Sequence, residues 1–358
     1  MSITAEAWRG FRDLGRAMTA LGTAERHEEM AAFGADLTGN ATDLWATYRT
    51  AMRRNAVPSA DGPASPACLP YVFGVRGNGT CGELPTAAPH GVPITVLAPS
   101  ERDSESWRTY SEAFYSGAML RDEVAEILAW HKVNPTKSGS SLKGGALTGS
   151  GGSLLNGDQL MTFTGHGWGY GLLQHDFVED FLLLFYTTSA HAYSRGQWVA
   201  PESTNVDRAQ PSVTFATPSG LSQPIFLRWM LLFDHPITDT LWVGKAIPHE
   251  WLEPGERIAV ADAPSRFGNL SFSFVASNAS VRVDLSFGAR LRGAWPAGGV
   301  KVRVRSRLAW PAEGGVTVGG KPWPRQLVNA TEQTVHFAEP PLADAAHDIV
   351  VSVLPHQQ

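Results

Sequence analysis

The spacing of the apolar residues changes near residue 235, and that change decides what this chain can fold into. Before it they recur at helical intervals; after it they come in short runs, several alternating with period two. Trp8, Phe11, Leu14, Met18 and Leu21 fall three and four residues apart, and Met30, Phe33, Leu37, Leu44 and Tyr48 extend the pattern after a short break. That spacing predicts two amphipathic helices paired as a hairpin. Helical spacing returns from Trp107 to Trp130 with a break at Gly117, from Leu172 to Tyr193, and in QPIFLRWMLLF at 223–233. Beyond Asp234, TLWVGKAIP, RIAVADAP, LSFSFVAS, SVRVDLSF, VKVRVRSRLAW, GVTVGG, QTVHF and DIVVSVL are separated by Gly, Pro and Asn turns. They read as eight strands of an antiparallel β-sandwich. The fold class expected is α+β and multidomain, with helical hairpins over residues 1–236 and the sandwich over 237–358; 358 residues suffice for two such cores.

Two stretches resist regular structure. Residues 55–104 are punctuated by proline and glycine, and 137–158 (KSGSSLKGGALTGSGGSLLNGD) are too rich in Gly and Ser to hold a helix. The first is expected to be a long ordered loop, the second a mobile loop at the rim of a cleft.

Charge and composition exclude some classes. A net charge of −5 and a pI near 6.1 give no electrostatic reason to expect nucleic acid. The alternating arginines of VRVRSR at 302–307 are expected to face solvent on one side of a strand. No apolar run reaches the roughly 20 residues of a membrane span; the richest is FVEDFLLLFY at 177–186. The N-terminus lacks the uninterrupted apolar core of a signal peptide. Five of the nine asparagines, Asn40, Asn78, Asn269, Asn278 and Asn329, nevertheless sit in N-x-[ST] sequons, which points to the secretory pathway and a glycoprotein. Cys68 and Cys81, the only two cysteines, have a spacing that suits either a short disulfide loop or two unpaired thiols.

The chemistry concentrates between residues 165 and 202. In GHGWGYGLLQHD, glycines at 165, 167, 169 and 171 would let a loop approach a ligand closely while His166, Trp168 and Tyr170 project between them. Flat rings stack on the apolar faces of sugars and polar edges bond hydroxyls, so the segment suits one wall of a sugar site. His175, at the start of the following helix, is a candidate catalytic group. Glu179 and Asp180, one turn on, are favoured there by the helix dipole alone. Arg195 and Glu202 flank Trp198, and Gly196 and Pro201 place them on a loop. Desolvation beside tryptophan raises a carboxyl's pKa, as a general acid at a glycosidic oxygen requires. Glu202 is therefore the first catalytic candidate. Hydrolysis needs a second carboxylate across the cleft, and Glu112, between Tyr110 and Tyr115, is the preferred partner. Trp168, Tyr170, Trp198 and Tyr110 are the expected stacking surfaces, with His166 and Arg195 as polar contacts.

The histidines lack HxxxH spacing, so no metal is expected. GxGxGxG with aromatics between is no phosphate cradle, and neither a GK[ST] P-loop nor a GxSxG elbow occurs, so no cofactor is expected either.

The order GYGLLQHD, FLLLFY, AHAYSRGQWVAPES, LRWMLLF and then TLWVGKAIPHEWLEPGERIAVADAPSRFGNLSFSF resembles the C-terminal part of six-hairpin, (α/α)6-barrel glycosidase-like proteins with a trailing β-sandwich. The resemblance spans about residues 105–290 and implies a glycoside hydrolase-like protein acting on or binding an oligo- or polysaccharide. Six hairpins need about twelve helices, and the region before 235 supplies roughly six to eight, so the toroid implied is a partial one. Two other readings stay open. One is a polysaccharide lyase on a similar toroid, in which Tyr170 with His166 or His175 would move protons beside a uronic acid. The other is a noncatalytic carbohydrate-binding remnant.

Overall fold

The computed structural model describes residues 2–54, 56, 69, 111–133, 159–161, 165–194, 196–205, 215–307, 310, 315–341 and 347–352. Tyr110, Arg195, Asn78, Cys68 and Cys81 lie outside the described residues, as do almost all of 55–104 and the whole of 137–158. The fold is α+β. The chain divides into two compact units, Met1–Ile225 and Phe226–Gln358; the sequence boundary at 236/237 falls after a helix that straddles this division.

In the first unit, α1 (Ser2–Ala24) and α2 (Glu28–Arg54) form the antiparallel hairpin that the spacing predicts. Their axes come close because glycines meet: a Cβ on Gly15 would lie 2.6 Å from the Gly34 carbonyl oxygen, and one on Gly34 equally near that of Gly15. A short helix α3 (111–116) ends at Gly117, whose φ of 79° breaks it. Then follow α4 (Arg121–Val133), strand β1 (Gln159–Met161), α5 (Gly165–Gln174), α6 (Val178–His191) and strand β2 (Ser203–Asn205), which pairs antiparallel with β1. Helix α7 (Thr217–Leu231) carries Pro224 within it.

An ion-pair ladder ties α2 to α4. Glu123 is fully buried at the third position of α4, where its carboxylate accepts the Leu120 backbone N–H at 2.8 Å and Arg49 Nε at 2.7 Å. One carboxylate thus closes the helix start and neutralises a cation from the hairpin. Arg49 also donates to the Ala118 carbonyl at 3.1 Å, and one turn on Arg53 pairs with Glu126 and Asp122.

In the second unit α7 runs directly into β3 (Leu232–Asp234), which turns back into β4 (Leu241–Val243). His235 holds that turn, its Nδ1 accepting the N–H groups of Ile237 and Thr238 at 3.3 and 3.1 Å. A meander of β5 (Arg257–Ser265), β6 (Gly268–Ala276) and β7 (Ser280–Phe287) leads through a one-turn helix α8 (Ala289–Gly293) to β8 (Val300–Arg303), β9 (Val316–Val318), β10 (Lys321–Pro322), β11 (Val328–Asn329), β12 (Thr334–Phe337) and β13 (His347–Ser352). The strands make two sheets, ordered β10-β9-β13-β7-β6-β5 and β11-β12-β8-β4-β3. Inward residues of both, including Phe272, Phe274, Val283, Val302 and Phe337, form one buried cluster. The all-antiparallel expectation needs correction at one place, since β4 pairs with β8 in parallel.

The arginines of VRVRSR also depart from expectation. Arg303 and Arg305 are 3% and 6% exposed instead of facing water. Arg303 donates to the carbonyls of Glu332 and Lys245 at 3.1 and 3.2 Å, and Arg305 to that of Ile247 at 3.0 Å while its other nitrogen meets His249 Nε2 at 3.3 Å. The irregular backbone after β4 leaves carbonyls without ladder partners, and guanidinium groups with five donors satisfy them. Arg307 alone of the three is exposed, paired with Glu250 and Glu253.

Two substitutions test these polar anchors. Glu123→Ala should cost about 2–4 kcal/mol by leaving Arg49 half-buried and the α4 start uncapped. Arg303→Leu should cost about 2 kcal/mol or more through orphaned carbonyls. Urea midpoints at constant slope would check both.

Candidate functional site

The site is set by how closely α3 and α5 approach. A Cβ on Gly167 would lie 2.1 Å from the Ser111 carbonyl oxygen, and one on Gly171 would lie 2.7 Å from Phe114 Cβ. These two glycines, four apart, form the face of α5 that presses on α3. The segment expected to be a loop is therefore a helix: glycine there trades about 1 kcal/mol of helix propensity per residue for interhelical contact. Trp168 is consumed by the same packing. It is 1% exposed, with its ring edge-on to Phe114 at 4.8 Å, and so belongs to the interior.

The preceding residues on α5, His166 and Tyr170, stand beside the contact. Tyr115, from α3, meets both, 6.0 Å from the His166 ring and 5.1 Å from the Tyr170 ring. Tyr115 is 42% exposed while Tyr170 is buried. Arg9 of α1 lies over the Tyr115 ring with its guanidinium carbon 5.1 Å from the centroid, and donates to the Tyr115 carbonyl at 2.9 Å. Glu112, three residues before Tyr115 on α3, is half-buried. His166 Nδ1 is buried with no hydrogen-bond partner, and burial holds its pKa below the ordinary histidine value. Desolvation disfavours imidazolium, so the ring at this cluster is neutral at pH 7.

His175 lies in the turn between α5 and α6, not at a helix start. Its Nε2 is 3.2 Å from Gln174 Nε2, and its carbonyl accepts from Arg121 at 3.3 Å, whose guanidinium covers the Phe177 ring. Asp176 takes a left-handed φ of 64° there. Glu179 and Asp180 occupy the first turn of α6, as the dipole favours.

A second exposed ring follows α6. Ser194 organises the turn: its N–H donates to the Val199 carbonyl at 2.8 Å, its carbonyl accepts from Trp198 N–H at 3.2 Å, and its Oγ accepts from Val199 N–H at 3.1 Å. Trp198 is thereby held at φ 53° and left 65% exposed, 6.1 Å from the Tyr193 ring. A bulky residue in that conformation costs on the order of 1–3 kcal/mol, and such strain clusters at ligand clamps. Tyr193 anchors the turn from below: its hydroxyl donates to the Ser219 carbonyl at 2.5 Å and accepts Gln223 N–H at 3.0 Å, and burial raises its pKa. Glu202 is half-buried just before β2.

Sequence reasoning overlooked Tyr115, Arg9 and Tyr193. Tyr115 had a signal, lying three residues from Glu112 on one helix face. Arg9 had none, because the α1–α3 contact joins residues more than a hundred apart. Among the described residues no group of three His, Cys, Asp or Glu side chains could hold a metal ion, and no helix is long and apolar enough to cross a membrane.

The lowered pKa of His166 gives a signed prediction. Its neutral form contributes fully above the unfolded value, and that contribution is lost as pH falls below about 6.5. Stability of the parent relative to His166→Gln should decline between pH 7.5 and pH 5, and the imidazole should titrate below the unfolded value by NMR. A titration at or above that value would refute the assignment.

Compared with protein-family models, curated proteins and solved structures, the chain matches none.

Proposed function

We propose that this chain is a carbohydrate-active protein of the six-hairpin glycosidase type, a partial α/α toroid followed by a β-sandwich, binding an oligo- or polysaccharide on its helical unit. Exposed Tyr115 and Trp198 are the ring faces offered to sugar. The exposure of the sequon residues Asn269, Asn278 and Asn329 is compatible with a secreted glycoprotein.

The observation that carries the reaction class is the Tyr115–His166–Tyr170 cluster with Arg9 over Tyr115. A neutral imidazole, an accessible phenol and a guanidinium are the groups of β-elimination at a uronic acid. His166 takes the C5 proton, the C4–O bond breaks as a C4–C5 double bond forms, and the Tyr115 hydroxyl protonates the departing oxygen. Arg9 offsets the charge of the uronate carboxylate. Elimination is therefore preferred to hydrolysis here. The hydrolytic reading keeps one observation of its own, Glu202 following strained, exposed Trp198 with Glu112 as the proposed second carboxylate.

Incubation with a panel of neutral and uronate-containing polysaccharides separates the readings. Elimination predicts an ultraviolet-absorbing unsaturated product from uronates alone, with kcat lowered about 10²–10⁴-fold in Tyr115→Phe. Reducing ends without that chromophore, abolished by Glu202→Gln, would instead establish hydrolysis. Binding that is lost in Trp198→Ala without turnover would leave a noncatalytic sugar-binding protein, and no binding to any glycan would refute the proposal.

A further inference from the structure

The α1–α2 hairpin has two unlike sides. Its contact rows are Trp8, Gly15, Thr19 and Gly22 on α1, against Ala31, Gly34, Thr38 and Trp45 on α2. Because the helices are antiparallel, residues one position after the contact rows fall on one side of the hairpin and residues one position before them fall on the other. The first side carries Arg9, Arg49 and Arg53, and it is occupied: Arg9 meets Tyr115, Arg49 meets Glu123, and Arg53 meets Glu126 and Asp122.

Among the described residues, nothing covers the second side. Phe11, Leu14 and Leu21 of α1 and Phe33 and Leu44 of α2 share it, each between 37% and 53% exposed. Five large apolar side chains left in water on one side of a helix pair mark an interaction surface. Its rim is acidic: Glu6 borders the α1 row, and Glu29, Asp36 and Asp43, seven residues apart, border the α2 row. All four are exposed, and none is ion-paired among the described residues. Asp13, on the same rim, is held by Arg9 and Arg12. Among the cations of the two helices, Arg54 in the last turn of α2 falls in line with Asp36 and Asp43, and the rest lie toward the first side, so four acids face one arginine along this rim.

We propose that this face docks a cationic amphipathic helix of another protein, its apolar stripe across Leu14 and Phe33 and its lysines or arginines along Glu29, Asp36 and Asp43. The charge pattern decides the occupant. A second copy would set this acidic rim against itself, and an anionic membrane surface would be repelled.

The test uses the full chain and two designed helical peptides, both with leucine at heptad a and d positions, one with lysine and one with glutamate elsewhere. The lysine peptide should bind by calorimetry, at least about tenfold tighter than the glutamate peptide, and weaken as salt rises. Leu14→Ser with Phe33→Ser should abolish binding; both sites are exposed, so circular dichroism should be unchanged. Asp36→Lys with Asp43→Lys should reverse the preference toward the glutamate peptide. Equal binding of both peptides by every variant would overturn the proposal. So would a doubled light-scattering mass that Phe33→Ser restores to one chain, which would give the face to a second copy. A glycan on Asn40 of natively produced protein, in the row between Leu37 and Leu44, would also overturn it.

Discussion

The helical unit depends on the close approach of α5 to α3 at Gly167, which meets the Ser111 backbone, and at Gly171, which meets the Phe114 side chain. With any side chain at Gly167, α5 could not lie against α3, and Tyr115 would lose its place between His166 and Tyr170. The buried edge-on pair of Trp168 and Phe114 fills the volume next to that contact, so glycine supplies proximity and the aromatics supply the apolar burial. The desolvation that keeps His166 neutral comes from the same packing. Site geometry and site electrostatics therefore share one cause.

A similar economy of polar groups runs through both units. Where the backbone is irregular and buried, a polar or charged side chain closes it: Glu123 at the start of α4, Arg303 and Arg305 behind the turn after β4, and the Tyr193 phenol beneath the start of α7. Each satisfies groups that no ladder reaches. They are distributed through the structure, and only some of them coincide with the candidate site.

How much of this could be read from the chain follows from the range of each interaction. The first hairpin and the alternating strands were legible because periods of 3.6 and 2 are local properties. The Gly-aromatic segment was misread because alternating glycine has the same composition whether it supplies conformational freedom or helix contact, and only the partner at Ser111 and Phe114 distinguishes them. The buried arginines were misread for a like reason: their acceptors lie at 245–249 and 332, far along the chain. His166, Tyr170, Trp198, Glu202 and Glu112 were reachable from residue chemistry. Tyr115 in its role as a junction was not, since a contact across fifty residues leaves no mark on spacing.

The place of β13 has a consequence for how the second unit is made. In the six-stranded sheet this strand lies between β9 and β7, pairing with Val316–Val318 on one side and Ser280–Leu285 on the other. During synthesis the β5–β6–β7 meander and the β9–β10 ribbon emerge earlier and can form from neighbouring residues. They remain two separate pieces, each with an open edge, until His347–Ser352 arrives to join them. Closure of that sheet is thus a late, nonlocal event, which places this unit among slowly folding topologies and exposes apolar strand edges in the nascent chain until β13 inserts.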